Sequence, residues 1–231
     1  MGDPKQSKAL IAAAQAMSAA GLNPGTAGNL SCRCVRQGRA GFFITPTGMD
    51  YAALTPEDIP WVGLDGKAEG KCKPSSEWRF HRDIYAAFPE AGAVLHAHSP
   101  FAVSLACLRR DIPPFHYMIA RFGGDSIRCS AYALFGTQAL SNAALAALQD
   151  RSACLLANHG MLVYGRDLKQ ALDLGMELES LCEQYWRASL LGNPVLLDAA
   201  QMHAVREKFK SYGLPERKGS LACGASPRCS P

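Results

Sequence analysis

No stretch of this 231-residue sequence reaches the roughly 18 apolar residues that a membrane-spanning helix requires, so no membrane partner is expected. Met1 to Ser7 lack the apolar run of a secretory signal, and Gln6 stands where a myristoylation motif needs Ser or Thr. There is no Cys-x-x-Cys pair. The nine cysteines are an odd number spread singly, and although Cys32 and Cys34 could share a strand face, a disulfide framework is not expected in a chain of this size. These absences point to a reducing, cytoplasmic home. Neither a Gly-Lys-Ser/Thr phosphate loop nor a Gly-x-Gly-x-x-Gly fingerprint is present, which removes the commonest nucleotide-binding signatures. Charge is sparse as well, at 19% of residues and +4 net, and Lys and Arg are scattered rather than clustered, so nothing resembles a nucleic-acid footprint. No lysine lies in an apolar run that would desolvate it into a Schiff-base nucleophile, and Lys67, Lys71 and Lys73 share a polar loop.

What remains is ample core material, 48% hydrophobic, enough for one domain over residues 1–213. The Gly/Ser/Pro/Arg/Cys-rich tail over 214–231 reads as disordered. Patterning predicts a helix over 7–20 stopped by Gly21, and strands over 29–36, 41–45 and 59–64, the last closed by the hairpin dipeptide Asp65-Gly66. A helix is expected from Glu77 to Phe88 with a serine as N-cap, a strand over 93–98 and a helix over 100–110. A short strand near 127–129 and a helix over 137–149 follow. An apolar strand over 154–164, interrupted by Asn158-His159-Gly160, leads to helices over 167–191 and 198–212. Helices and strands are interspersed without βαβ regularity. The fold class expected is α/β, three layers with helices on both sides of a central, mostly antiparallel sheet.

His96 and His98 stand two apart in a strand-like run, so both imidazoles share one face and can converge on one ion. Such a pair alone is as readily a hydrogen-bonded structural pair as a ligand pair. His159, in a second apolar strand before a glycine, changes the balance. Three neutral imidazoles leave a coordination position open, as in catalytic rather than structural zinc sites. His81, His116 and His203 fall in helical or polar settings and are expected at the surface or behind the site. Glu77, at a helix start, fits equally an acid favoured by the helix dipole, a base, or a further metal ligand, and the sequence does not decide among them.

Three turns carry small donors: Gly25-Thr26-Ala27-Gly28-Asn29, Thr45-Pro46-Thr47-Gly48 and Pro74-Ser75-Ser76-Glu77. Each alone is an ordinary turn or cap. Combined, their amides, hydroxyls and a helix N-terminus would cradle a phosphate.

The runs GLNPGTAGNLS, ITPTGM, PSSEWRFH, VLHAHS, IPPFHYMIA, YALFGT, NHG and KFKSYGL resemble, in order and from about Leu22 to Leu214, the class II aldolase/adducin family in its bacterial sugar-phosphate aldolase branch. The resemblance implies an α/β/α fold and a homotetramer with active sites between subunits. It implies a phosphorylated sugar as substrate, a 1-phosphoketose such as L-fuculose, 5-deoxyribulose or 5-methylthioribulose 1-phosphate, cleaved to dihydroxyacetone phosphate and an aldehyde. It implies Zn2+, or Mn2+ or Co2+, on His96, His98 and His159, and phosphate on Asn29, Thr47, Gly48, Ser75 and Ser76. Glu77 and a neighbouring subunit's Tyr117 would move protons, and Phe135, Phe209 and Tyr212 would wall the aldehyde end. Arg121-Phe122 departs from the family pattern near that end. The same fold also hosts 4-epimerases, a methylthioribulose-phosphate dehydratase and the metal-free adducin head domain, which remain alternatives.

Overall fold

The computed structural model describes residues 4–211, and the tail from 214 and Tyr212 lie outside them. Eight strands form one sheet: β1 (Asn29–Arg36), β2 (Arg39–Ile44), β3 (Trp61–Gly63), β4 (Ala68–Glu69), β5 (Ala93–Ala97), β6 (Arg128–Cys129), β7 (Ala153–Leu156) and β8 (Gly160–Gly165). Their order is β4-β3-β2-β1-β5-β8-β7-β6. Every neighbouring pair is antiparallel except β6 with β7. Among the described residues six α-helices accompany the sheet: α1 (Pro4–Ala19), α2 (Trp78–Ala87), α3 (Pro100–Ala106), α4 (Gln138–Ala147), α5 (Leu168–Leu191) and α6 (Ala199–Ser211).

Alternation along the strands sorts side chains into two cores. Leu30, Cys32, Phe43, Trp61, Ala93, Leu95, Leu155 and Val163 pack with α1, α3, α5 and α6. Phe42, Ile44, Val62, Val94, Cys154, Leu156 and Leu162 pack with α2 and α4. Strands buried on both faces carry long apolar runs, because neither face meets water. The expected three-layer α/β/α arrangement is therefore what the chain adopts.

Several boundaries differ from the sequence reading, each for a local reason. The run over 154–164 is not one interrupted strand but the β7–β8 hairpin, with Leu156 opposite Gly160. Asn158 takes a positive φ of 54° in its turn, a conformation that asparagine tolerates better than other side chains. His159 thus sits in a turn, not in a strand. The helix after β5 stops at Ala106, and the N-cap of α2 is Glu77, whose side chain makes no capping bond.

The chain leaving His98 is pinned from across the layer. Glu179 of α5 accepts hydrogen bonds from Phe101 N (2.8 Å), Ala102 N (2.9 Å) and Ser99 Oγ (2.6 Å), filling the donors that the first turn of α3 leaves unpaired. Removing this acceptor by Glu179→Ala is expected to destabilise the fold by about 2–4 kcal/mol. The corresponding drop in melting temperature, measured by calorimetry, is roughly 5–12 °C. A melting point equal to that of the unaltered protein would show that water takes over all three donors.

Candidate functional site

The site forms at the end of the sheet where β5 runs out and the β7–β8 turn comes up beside it. Register places His96 opposite Asn29 of β1 on one side and Leu162 of β8 on the other. His98 follows two residues on, with its backbone N–H donating to Asn23 Oδ1 (3.0 Å). Gly28 and Gly160 permit this crowding. A Cβ on Gly28 would meet the His96 carbonyl at 2.6 Å, and one on Gly160 would meet the Ala97 carbonyl at 2.4 Å.

The three histidine rings form a near-symmetric triangle, each pair with centroids 4.8 Å apart and planes inclined by 71–77°. One ligand atom from each lies within 4.8 Å of the others. His96 is fully buried, and its Nδ1 lies 2.9 Å from the Met161 carbonyl, which can only accept. Nδ1 therefore carries the hydrogen and Nε2 turns its lone pair inward, 2.9 Å from His98 Nε2. Burial, reinforced by the neighbouring imidazoles, pushes His98 and His159 down to about 4, which leaves both as neutral ligands at physiological pH.

Glu77 closes the fourth side. Its Oε2 is 3.3 Å from His96 Nε2 and its Oε1 is 3.4 Å from His159 Nε2. In a tetrahedral site with zinc–nitrogen bonds of 2.0–2.1 Å, donor atoms stand about 3.3 Å apart. Burial alone would raise the Glu77 carboxyl. The adjacent His96 and His159 and the Asn29 amide (Nδ2 to Oε2, 3.0 Å) outweigh it and bring the group down to about 2. Its Oε1 is buried with no hydrogen-bond partner. An orphaned carboxylate oxygen beside three inward nitrogens fits a divalent cation, and these residues could hold one.

Of these groups Asn29, Glu77, His98 and His159 line a cleft of about 400 Å³, and the buried His96 does not. Pairing of Thr47 N with the Lys73 carbonyl (3.1 Å) and of Ser75 N with the Thr45 carbonyl (3.1 Å) brings two of the small-donor turns side by side at the N-terminus of α2. Thr47, Gly48, Ser75, Ser76, Glu77, His98, His159 and Phe135 all face this cleft. Asn29 faces it too, although its amide is engaged by Glu77 and, through Oδ1, by His81 at 2.5 Å. Arg79 Nη1 donates to the Gly136 carbonyl (2.7 Å), tying the Phe135 loop to α2.

Tyr117 and Phe209 do not join the cleft within one chain. They line a separate, mostly apolar cavity of about 490 Å³ with Arg121, Val205 and Lys208, their rings stacked 6.3 Å apart. Phe122, expected near the aldehyde end, is core, whereas Arg121 lines that second cavity and pairs with Glu177 at 2.9 Å. One residue lining the cleft was not anticipated, and His81 takes the second of its two expected settings. Tyr132, on the Phe135 loop, lines the cleft, and no periodic signal marks an irregular loop. His81, expected at the surface or behind the site, is fully buried behind Glu77, and its spacing of four from Glu77 on a helix was the available signal.

The chain is also similar to known proteins. Residues 8–186 match the family described as Class II Aldolase and Adducin N-terminal domain. The chain is 54% identical over 204 residues to a 5-methylthioribulose-1-phosphate/5-deoxyribulose-1-phosphate aldolase of Rhodospirillum rubrum, covering 88% of this chain and 90% of that one. It is 42% identical over 211 residues to the L-fuculose phosphate aldolase of Escherichia coli strain K12, covering 91% and 96%. A solved structure titled L-fuculose 1-phosphate aldolase superposes with a TM-score of 0.86 at 36% identity, covering 91% and 98%.

The pure protein, stripped with chelator and titrated calorimetrically with Zn2+, is expected to bind about one ion per chain. In His96→Ala, which removes the buried nitrogen, that affinity should fall by more than about 100-fold. An unchanged affinity would show that the three nitrogens do not form the site.

Proposed function

This chain belongs to the class II aldolase and adducin family, and on that footing we propose that it is a sugar-phosphate aldolase, reversibly cleaving a 1-phosphoketose between C3 and C4 into dihydroxyacetone phosphate and a small aldehyde. The observation that carries the reading is the Glu77 carboxylate, ionised and with Oε1 unpartnered, standing 3.3–3.4 Å from two of three converging imidazoles at the back of a cleft. A divalent ion on His96, His98 and His159, zinc by the all-nitrogen donor set, supplies the Lewis acidity that polarises the substrate carbonyl.

The rest falls to the chain's own groups. The hydroxyls of Thr47, Ser75 and Ser76, the Gly48 amide and the second Asn29 amide hydrogen hold the phosphate, helped by the N-terminal end of α2. In the condensing direction Glu77 takes a proton from C3 of dihydroxyacetone phosphate, and the electron pair left behind spreads toward the C2 oxygen. That carbon attacks the aldehyde, and the oxygen formed at C4 takes its proton from Tyr117 of a neighbouring copy. Glu77 then loses its proton to solvent and Tyr117 regains one from it, which restores both groups. Cleavage runs the same steps backward. Tyr117 is half exposed and lines a cavity apart from its own chain's cleft, which suits service to a neighbour's site and a homotetramer with shared sites. Phe135 walls the aldehyde end from within the chain, and Phe209 and Tyr212 would do so from the neighbour.

The higher identity to the methylthioribulose/deoxyribulose relative, 54% against 42%, favours 5-methylthioribulose and 5-deoxyribulose 1-phosphates over L-fuculose 1-phosphate. Chemistry of this kind suits a reducing cytoplasm.

A coupled assay for dihydroxyacetone phosphate over ketose 1-phosphates differing at C5 should give the highest kcat/KM with the two C5-modified ribuloses. Formation of an epimer without cleavage, or of a product keeping every carbon, would overturn the aldolase reading. Glu77→Gln, which keeps the shape and loses the base, is expected to lower kcat by about 10²–10⁴-fold with little change in KM. A rate close to that of the unaltered protein would remove Glu77 from the mechanism.

A further inference from the structure

Behind Glu77 runs a row of buried polar groups that the proposed reaction does not use. Glu77, His81 and Tyr85 are four residues apart on and just before α2, so they share one helix face. Asn29 and Ser31 are two apart on β1, both turned toward α2. Four helical residues rise about 6 Å and two strand residues about 6.6 Å, so the two rows stay in step and interleave. The contacts form one continuous series. Tyr85 Oη lies 2.7 Å from Ser31 Oγ, Ser31 Oγ 2.7 Å from His81 Nδ1, His81 Nε2 2.5 Å from Asn29 Oδ1, and Asn29 Nδ2 3.0 Å from Glu77 Oε2. Ser31 and His81 are fully buried, and Tyr85 and Asn29 are 2% exposed.

The direction of every bond follows from the last one. A carboxylate only accepts, so the Asn29 amide must turn its nitrogen to Glu77 and its oxygen to His81. His81 Nε2 must then carry the ring hydrogen. Burial keeps this imidazole neutral, pushing it down to about 3, so Nδ1 can only accept. Ser31 therefore donates to Nδ1 and in turn accepts from the Tyr85 hydroxyl. The opposite polarity would leave the buried Tyr85 hydroxyl hydrogen without an acceptor, because Ser31 is its one hydrogen-bond partner among the described residues.

We propose that His81 is a positioning residue for Glu77: its Nε2–H locks the Asn29 amide in the orientation that holds Glu77 Oε2 and leaves Oε1 facing the histidines and the cleft. This rests on the reading of Glu77 as the group that exchanges the C3 proton. Without the His81 donor, Asn29 can turn its carbonyl toward the carboxylate. Two acceptors then face each other, and Glu77 loses its fixed place. The main fault would appear in proton transfer: substrate binding loses at most the one Asn29 amide hydrogen, while Thr47, Gly48, Ser75 and Ser76 keep their own donors toward the phosphate.

The test follows exchange of the C3 hydrogen of dihydroxyacetone phosphate with solvent deuterium by NMR, in metal-loaded protein and without aldehyde, beside metal content and melting temperature. His81→Leu is expected to slow exchange by about 10–100-fold at saturating ligand, with KM within about threefold of the unaltered value and metal content unchanged. His81→Gln can donate an amide hydrogen to Asn29 and is expected to recover much of the loss, although it packs no better than leucine. Should His81→Leu fail to fold, Tyr85→Phe removes only the first hydroxyl of the row and is expected to slow exchange by about 2–5-fold at little change in melting temperature. Unaltered exchange in folded His81→Leu or in Tyr85→Phe, or a glutamine variant no faster than the leucine variant, would overturn the proposal. Glu77→Gln run in parallel separates the two ideas: exchange surviving in that variant sinks the role of Glu77 itself, whatever His81 does.

Discussion

The antiparallel pairing of β5 with β1 on one side and β8 on the other is what the site depends on. It puts His96 against Asn29 and sends the Nδ1–H of His96 to the Met161 carbonyl of β8, so that one register aims the buried ligand and sets its tautomer. A slip of one residue would turn His96 into the opposite core, among Leu30, Leu95 and Val163, and move Asn29 away from Glu77. Both faces of these strands are packed with apolar groups, so such a slip would also expose or misplace whole rows of the core. The precision of the site is inherited from that penalty.

Around this frame the remaining groups arrive on short, irregular segments, each held by a few identifiable contacts. His98 is tied through its backbone to Asn23, and the chain beyond it to Glu179. His159 sits on a hairpin turn whose neighbouring glycine lets the backbone pass close to Ala97. Ser75, Ser76 and Glu77 come in on the segment that pairs with residues 45–47 before α2 begins. Small donors are thereby concentrated at a helix N-terminus, and a carboxylate is placed beside nitrogens, with little side-chain freedom left to spend on binding.

The contrast between Glu77 and His81 illustrates how neighbourhood assigns roles to similar groups. Both are buried and both are four residues apart on one face. Glu77 borders the open cleft and keeps an unpartnered oxygen there. His81, one turn deeper, has both ring nitrogens committed, so it can neither bind an ion nor reach a ligand and can act only through Asn29.

The period-two alternation of Leu30-Cys32-Cys34 and Val94-His96, the apolar faces of the helices, and the His-x-His spacing are local properties, and by themselves they settle the layered α/β class, most element positions and a shared face for two ligands. The three small-donor turns were legible for the same reason, since glycine, serine and threonine state their conformational habits in place. The meeting of His159 with His96 and His98 and the commitment of the Asn29 amide to Glu77 required partners between 48 and 63 residues apart in the chain. So did the burial of His81. The placing of Phe209 away from its own cleft was equally beyond reach, whereas for Tyr117 the family resemblance implies it. These are decided by strand order and by which segments the sheet brings to one edge, and no window of sequence contains that information.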